Sequence, residues 1–266
     1  MREVLIFGSI GIDTIETPYG KEKNILGGSA TYGALAASYL TKPIILATCG
    51  IDVAKNELKI LENNSINTKH LLRDGKTLRW HGKYDQDGHV QTIFTQLDGL
   101  TNKIPTIPKN PPKFLLLGNH NPEYQLGILK QLPKDTFTIA DTIELWINTK
   151  REKVKQVLSQ VDAVSITDTE AKMIAGTQNT ILAGKFMLSL GGNKRFVVIK
   201  KGEHGALVFF AEKVHLRNGL FRAGESPIFS IPGYPLEVVK DPTGAGDSLA
   251  GGLISYLAYQ NKTDNQ

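Results

Sequence analysis

Short apolar runs recur along the chain, most of them bounded by Gly, Asp or Asn: Val4–Phe7, Pro43–Thr48, Phe114–Leu117, Thr136–Ala140, Ala163–Ile166 and Phe196–Lys200. Runs this short and this continuous suit strands buried on both faces, which need no apolar/polar alternation. Segments of helical pattern lie between them: Ser29–Leu40, Val53–Asn63, Glu123–Gln131, Asn148–Gln160, Asp168–Ala175 and Asn179–Leu190. The alternation predicts an α/β fold, a doubly wound and mainly parallel sheet flanked by helices and joined by right-handed crossovers. Ligands of such sheets bind beyond the carboxyl ends of the strands. Asp13, Asn119, Asp141, Asp168 and the loop after Lys200 fall near those ends.

One region departs from this rhythm. Thr77–Leu97 is rich in Thr, Tyr, Trp, Phe and Val, with Gln86-Asp87-Gly88 as turn residues, and reads as an antiparallel hairpin. No helix flanks it in sequence, so it is expected to leave the main sheet and form a small β flap with Ile12–Leu26. A plain edge hairpin is the simpler alternative.

Composition narrows the class of function. The 266 residues fit one large domain or two small ones. The formal charge of +5 is scattered, with no basic run of the kind that binds nucleic acid. The single cysteine, Cys49, excludes an internal disulfide, fits a reducing compartment and reads as a buried structural thiol. No zinc spacing joins it to the six histidines. Glu3 stands where a signal peptide would be basic, and no apolar run approaches the roughly 18 residues of a membrane span. A cytoplasmic protein with no membrane partner is the expectation.

The most informative stretch is Asp241-Pro242-Thr243-Gly244-Ala245-Gly246-Asp247-Ser248-Leu249-Ala250-Gly251-Gly252. A glycine loop running into a small-residue helix can aim successive N–H groups at an anion, at the positive end of the helix dipole. A carboxylate beside such a site repels a stored anion. Asp247 makes sense there if it takes the proton of a hydroxyl that attacks phosphorus. The other reading is a tight turn with Asp247 as a helix cap. Dinucleotide binding is excluded, since Leu249 replaces the third glycine, and Gly75-Lys76-Thr77 is no P-loop because His70 holds the earlier glycine position. A second glycine pair, Gly27-Gly28, opens the segment Ser29-Ala30-Thr31-Tyr32-Gly33-Ala34, where small residues allow close backbone approach or simply close helix packing.

These two segments, with Asp13 upstream and the order of elements between them, resemble the ribokinase or pfkB-type carbohydrate kinase family from about residue 2 to residue 260. The carboxyl-terminal signature matches throughout, whereas Tyr32 stands where the family usually has Asn. The resemblance implies one ribokinase-like domain over residues 1–266, with a β lid formed by about 12–26 and 77–97. It implies ATP-dependent phosphorylation of a sugar hydroxyl with magnesium, Asp247 as general base, and Gly244, Ala245 and Gly246 as the anion hole.

By the same resemblance Asp13, Gly27 and Gly28 bind the acceptor, and Asp141 adds a polar contact. Lys200, Gly202, Gly205 and Thr243 serve the nucleotide, Lys200 facing phosphate. Thr167-Asp168-Thr169-Glu170 lies where the family has Asn-x-x-Glu, so Glu170 orients magnesium through water, and an exposed helical glutamate is the alternative. Asp241 is implied as a ligand of a monovalent cation, potassium, as in some relatives. Trp80, Tyr84 and Phe94 supply lid surface or the lid's own core, and such lids sometimes pair two subunits, which implies a homodimer. A nucleoside kinase of the same family, or a nucleotide- or sugar-binding regulator without catalysis, are the competing functions. Nineteen residues follow Asp247. Relatives usually continue through further helices, so either the adenine pocket is more open or a carboxyl-terminal part of the family fold lies beyond residue 266.

Overall fold

The computed structural model describes residues 2–97, 101, 103–191, 194–211 and 227–263. The chain opens with β1 (Glu3–Ser9), β2 (Gly11–Thr17), β3 (Gly20–Gly27), α1 (Ser29–Ala37), β4 (Lys42–Cys49) and α2 (Lys55–Asn63). It continues with β5 (Leu72–Arg73), β6 (Leu78–Tyr84), β7 (Val90–Gln96), β8 (Phe114–Leu117), α3 (Pro122–Leu129) and β9 (Phe137–Ala140). Then come α4 (Glu144–Leu158), β10 (Ala163–Thr167), α5 (Asp168–Ala175), α6 (Thr180–Ser189) and β11 (Phe196–Lys200). β12 (Ala206–Phe210), β13 (Ile228–Ile231) and α7 (Ala245–Thr263) complete the described chain. Two units divide it, the first made of 1–120, 127–136 and 236–266, the second of 121–126 and 137–235.

The first unit holds parallel strands in the order β8-β1-β4-β5. β1 is buried at every position after Glu3, and Val4, Leu5, Ile6 and Phe7 pair with the equally apolar β4, as continuous apolar runs require in a two-sided layer. α1 lies close over this layer. Ser29 fixes its start, accepting from the Ser9 amide (3.0 Å) and donating to the Asn119 carbonyl (2.8 Å). The same unit carries a separate four-stranded sheet in the order β3-β2-β6-β7, where β2 pairs antiparallel with β3 and parallel with β6. The Ile12–Leu26 segment is thus two strands of this sheet, and the Gln86-Asp87-Gly88 turn closes the β6–β7 hairpin.

α1 and α7 pack so closely that their backbones meet. A Cβ on Gly251 would stand 2.7 Å from both the carbonyl carbon and the Cα of Gly33, and nearer still to its oxygen. Backbone cannot move aside as a flexible side chain does. Gly251→Ala is therefore expected to cost about 1–3 kcal/mol of unfolding free energy, the usual penalty of overpacking. Urea denaturation measures it, and an unchanged midpoint would show that this helix pair has slack.

In the second unit β9, β10 and β11 run parallel, and β12 and β13 follow antiparallel. The reversal comes from a tight turn after Lys200, in which the Lys201 amide donates to the Gly205 carbonyl (2.8 Å). α4 begins at Glu144, not at Asn148 as its polar pattern predicts, and breaks at Lys150 (φ −142°, ψ 39°). At that break the Lys150 ammonium reaches Glu123 (2.7 Å) and Asn121 (3.2 Å), a long-range pull that no local pattern shows. Cys49 is a buried free thiol. Among the described residues no helix is long and apolar enough to cross a membrane.

Candidate active site

The glycine loop before α7 is shaped by its own polar groups. Asp241 Oδ1 accepts from the Thr243 amide (2.9 Å), the Ala245 amide donates to the Pro242 carbonyl (3.2 Å), and the Ser248 amide donates to the Gly244 carbonyl (2.8 Å) as the helix begins. Gly244 has φ +74°, a left-handed conformation costly for any side chain. Its Cα also faces an aromatic ring: a Cβ there would lie 2.6 Å from both Cδ atoms of Tyr32. Gly246 and Asp247 occupy the first turn of a 19-residue helix, where amides lack a carbonyl four residues back and the dipole is positive. The Ala245 amide, expected in the anion hole, is already engaged within the turn.

Asp13 is placed by a β-bulge. The β2–β3 register shifts between Asp13 and Ile15, and a bulge of this kind re-aims a side chain. Its carboxylate turns onto the bare Cα of Gly27, where a Cβ would come within 3.1 Å of Oδ1 and closer to the other carboxyl atoms. Gly28, at φ +93°, makes the bend into α1 against the Ser9 carbonyl. Asp13 is 5% exposed and receives no hydrogen bond from any of the described residues. Burial, aided by the negative charge of Asp241, pushes its pKa up to about 7. A buried carboxylate without a donor has a high free energy unless something else supplies the hydrogen bonds.

Two tyrosines complete this region. Burial and the carboxylates of Asp13, Asp241 and Asp247 push the Tyr32 phenol far above its ordinary range. Tyr84 is raised by burial and by the same three acids, while its bond with Thr243 acts in the other direction. Both hydroxyls therefore stay protonated beside a cluster of carboxylates and can donate. Tyr84, the last residue of β6, lies 3.0 Å from the Thr243 hydroxyl. Sequence reasoning reached Tyr32 only as a family departure and Tyr84 only as lid surface or part of the lid's own core. The Tyr84 contact joins residues 159 positions apart, and nothing local to Thr-Leu-Arg-Trp-His-Gly-Lys-Tyr announces it. Trp80 lies within its own sheet, its ring over Gly82 and its indole N–H donating to Thr92 (3.3 Å).

In the second unit the ends of β9, β10 and β11 carry a buried charge cluster. Lys200 ion-pairs with Asp141 Oδ2 (2.7 Å), and Asp141 Oδ1 accepts from the Thr142 amide (2.8 Å). Lys200, expected to face phosphate, thus commits its ammonium to Asp141, and Asp141 in turn is held by a cation. Glu170 is buried, not exposed, and forms a reciprocal cap with Thr167: Glu170 Oε2 accepts from the Thr167 amide (2.9 Å) and Thr167 Oγ1 accepts from the Glu170 amide (3.3 Å). Thr167, which stands where the family usually has Asn, caps the helix with its hydroxyl. Burial and the nearby Asp141 raise the Glu170 carboxyl, and Lys200 offsets part of that. Gly202 (φ +56°) leaves open space where a Cβ would stand, whereas Gly205 (φ +82°) is pressed against Pro232 and Gly233.

Comparison with known proteins bears on the family and the fold. The family description of pfkB family carbohydrate kinases matches residues 1–264. A cytidine kinase of Thermococcus kodakarensis is 29% identical over 263 residues, spanning 96% of this chain and 88% of that protein. Among solved structures, the Burkholderia thailandensis nucleoside kinase in complex with inosine superposes with a TM-score of 0.76 at 20% identity, covering 97% of this chain and 85% of that one. The ribokinase of Cryptococcus neoformans var. grubii in complex with ADP gives 0.73 at 18% identity, covering 98% and 90%. With both glycine segments, the ribokinase-like layers and a match along nearly its whole length, the chain belongs to the pfkB family of carbohydrate kinases.

Proposed function

We propose that this ATP-dependent kinase phosphorylates a ribose hydroxyl of a nucleoside. The observation that carries the reading is Asp13, a buried carboxylate with no donor among the described residues, which suits it to accept hydrogen bonds from two vicinal hydroxyls. The likeness to a cytidine kinase over 96% of the chain supports a nucleoside over a free sugar.

In the proposed reaction Asp13 and the backbone at Gly27 and Gly28 hold the acceptor. Asp247 takes the proton from the attacking hydroxyl as its oxygen forms a bond to the γ-phosphorus, and the bond to the β-phosphate oxygen breaks to release ADP. Amides of Gly244 and Gly246 stabilise the charge on the transferred group. Tyr32, held protonated, presents a neutral donor beside the same loop, which adds no negative charge to three nearby acids.

Gly202 and Gly205 shape the nucleotide-side loop of the second unit. Magnesium, when bound, neutralises phosphate charge, and Glu170 is the hard oxygen donor that suits it through water. The capped geometry of Glu170 fits that task, since one carboxylate oxygen holds the Thr167 amide and fixes the orientation of the other. Asp241 retains one carboxylate oxygen beyond its bond to Thr243, which suits a potassium ligand. A homodimer through the small sheet, where Ile93 and Phe94 are about half exposed, is testable by light scattering.

ADP release with ATP and a panel of cytidine, other nucleosides and free pentoses tests the reading. We expect kcat/KM for the best nucleoside to exceed that for any free sugar by at least about tenfold, the least that a pocket contact of 1–3 kcal/mol provides. A free sugar as the best acceptor overturns the nucleoside assignment and leaves a sugar kinase.

A further inference from the structure

Thr243 belongs to the anion loop, and Tyr84 belongs to the four-stranded sheet that also carries Asp13. Their hydroxyls lie 3.0 Å apart, a hydrogen bond that joins a strand end to a loop 159 residues away. The loop has little freedom of its own. Asp241 fixes the Thr243 amide, the Pro242–Ala245 turn closes it, and the Tyr32 ring backs Gly244. A displacement of the end of β6 is therefore passed to Thr243 and Gly244, whose amides precede Asp247.

We propose that Tyr84 is a positioning residue for phosphoryl transfer, tying the acceptor-bearing sheet to the anion loop through Thr243 so that acceptor and loop are placed together. The inference rests on the reading of the loop as the phosphoryl site. Tyr84 is half-buried among Asp13, Asp241 and Asp247, so its hydroxyl has no bulk-water substitute of equal geometry. Tyr32 cannot replace it, because Tyr32 supports the loop by ring contact at Gly244 and belongs to α1, not to the sheet.

The test is a double-mutant cycle on the full chain with Tyr84→Phe, Thr243→Val and the pair, using ATP and the acceptor of the panel that turns over fastest. Loss of one such bond is expected to lower kcat by about three- to tenfold. In Tyr84→Phe the acceptor KM should rise more than the ATP KM, since Tyr84 belongs to the sheet that carries Asp13. The double variant should be no worse than the poorer single, because both changes break the same bond. Thr243→Ser, which keeps the hydroxyl, should recover most of the kcat that Thr243→Val loses.

Effects that multiply in the double variant overturn the proposal. So does a Tyr84→Phe enzyme that unfolds at a lower temperature yet keeps wild-type kcat, which assigns the bond to stability alone. Turnover retained by Asp247→Asn removes the phosphoryl-transfer reading itself; an inactive Asp247→Asn with an additive cycle removes only the coupling.

Discussion

Asp247→Asn is expected to lower phosphoryl transfer by about 10²–10⁴-fold, or about 3–5 kcal/mol of barrier, with the fold unchanged. Asparagine has nearly the shape of aspartate and can still accept a hydrogen bond, but it cannot keep a proton taken from the acceptor. The backbone that carries residue 247 is held by contacts that do not involve its charge. α7 is seated by the Gly33–Gly251 contact, and its first turn is closed by the Ser248 amide on the Gly244 carbonyl. Stalled chemistry with intact ATP binding is therefore the expected signature. ADP release, circular dichroism and nucleotide titration on one preparation separate chemistry from folding and binding. Turnover within about tenfold of wild type would remove Asp247 from the role of base, since general-base catalysis is worth more than that.

The legible part of this protein is the part written locally. Val4–Phe7, Pro43–Thr48 and Phe196–Lys200 read as buried parallel strands because a strand covered on both faces must be apolar throughout, and each appears within a residue or two of its place. The glycine loop before α7 was legible for the same reason, since left-handed backbone and an exposed helix start both leave marks in the residues concerned.

What needed three dimensions depends on pairs far apart. Asp13 is in the sequence as an acid near a strand end, but its missing donor and its contact with Gly27 follow from the bulge in β2. The pairing of Lys200 with Asp141 joins the last residue of β11 to the residue after β9, and it turns two residues read as separate ligands into one buried pair. Glu170 shows the limit from the other side. Its spacing from Thr167 fits a capping box, yet burial decides that the carboxylate is no ordinary surface acid.

Asp13→Asn is expected to lower kcat/KM for the acceptor by about 10²–10⁴-fold, because two hydrogen bonds to a charged group, each worth about 1.5–3 kcal/mol, are weakened together. The wild-type enzyme should show the same dependence through pH. Acceptor hydroxyls donate to the ionised carboxylate, whose pKa is raised to about 7 by burial and by Asp241. Below that pH, kcat/KM for the acceptor should fall about tenfold per unit, and Asp13→Asn should flatten this limb of the profile.

Stability should move in the opposite direction. The unfolded carboxyl titrates at 3.8 and the folded one near 7, so between these values the folded state holds the proton that the unfolded state has released. Folding stability must then decrease as pH rises through that window, by about 1.4 kcal/mol for each unit of pKa difference. At pH 3 both states are protonated and the penalty vanishes. Asp13→Asn should accordingly gain stability relative to wild type as pH rises from about 4 to about 7, while losing acceptor binding over the same range. Unfolding free energies of both proteins at several pH values measure it. A difference independent of pH would mean that Asp13 ionises at its ordinary pKa, and the acceptor profile should then lose its limb near pH 7 as well.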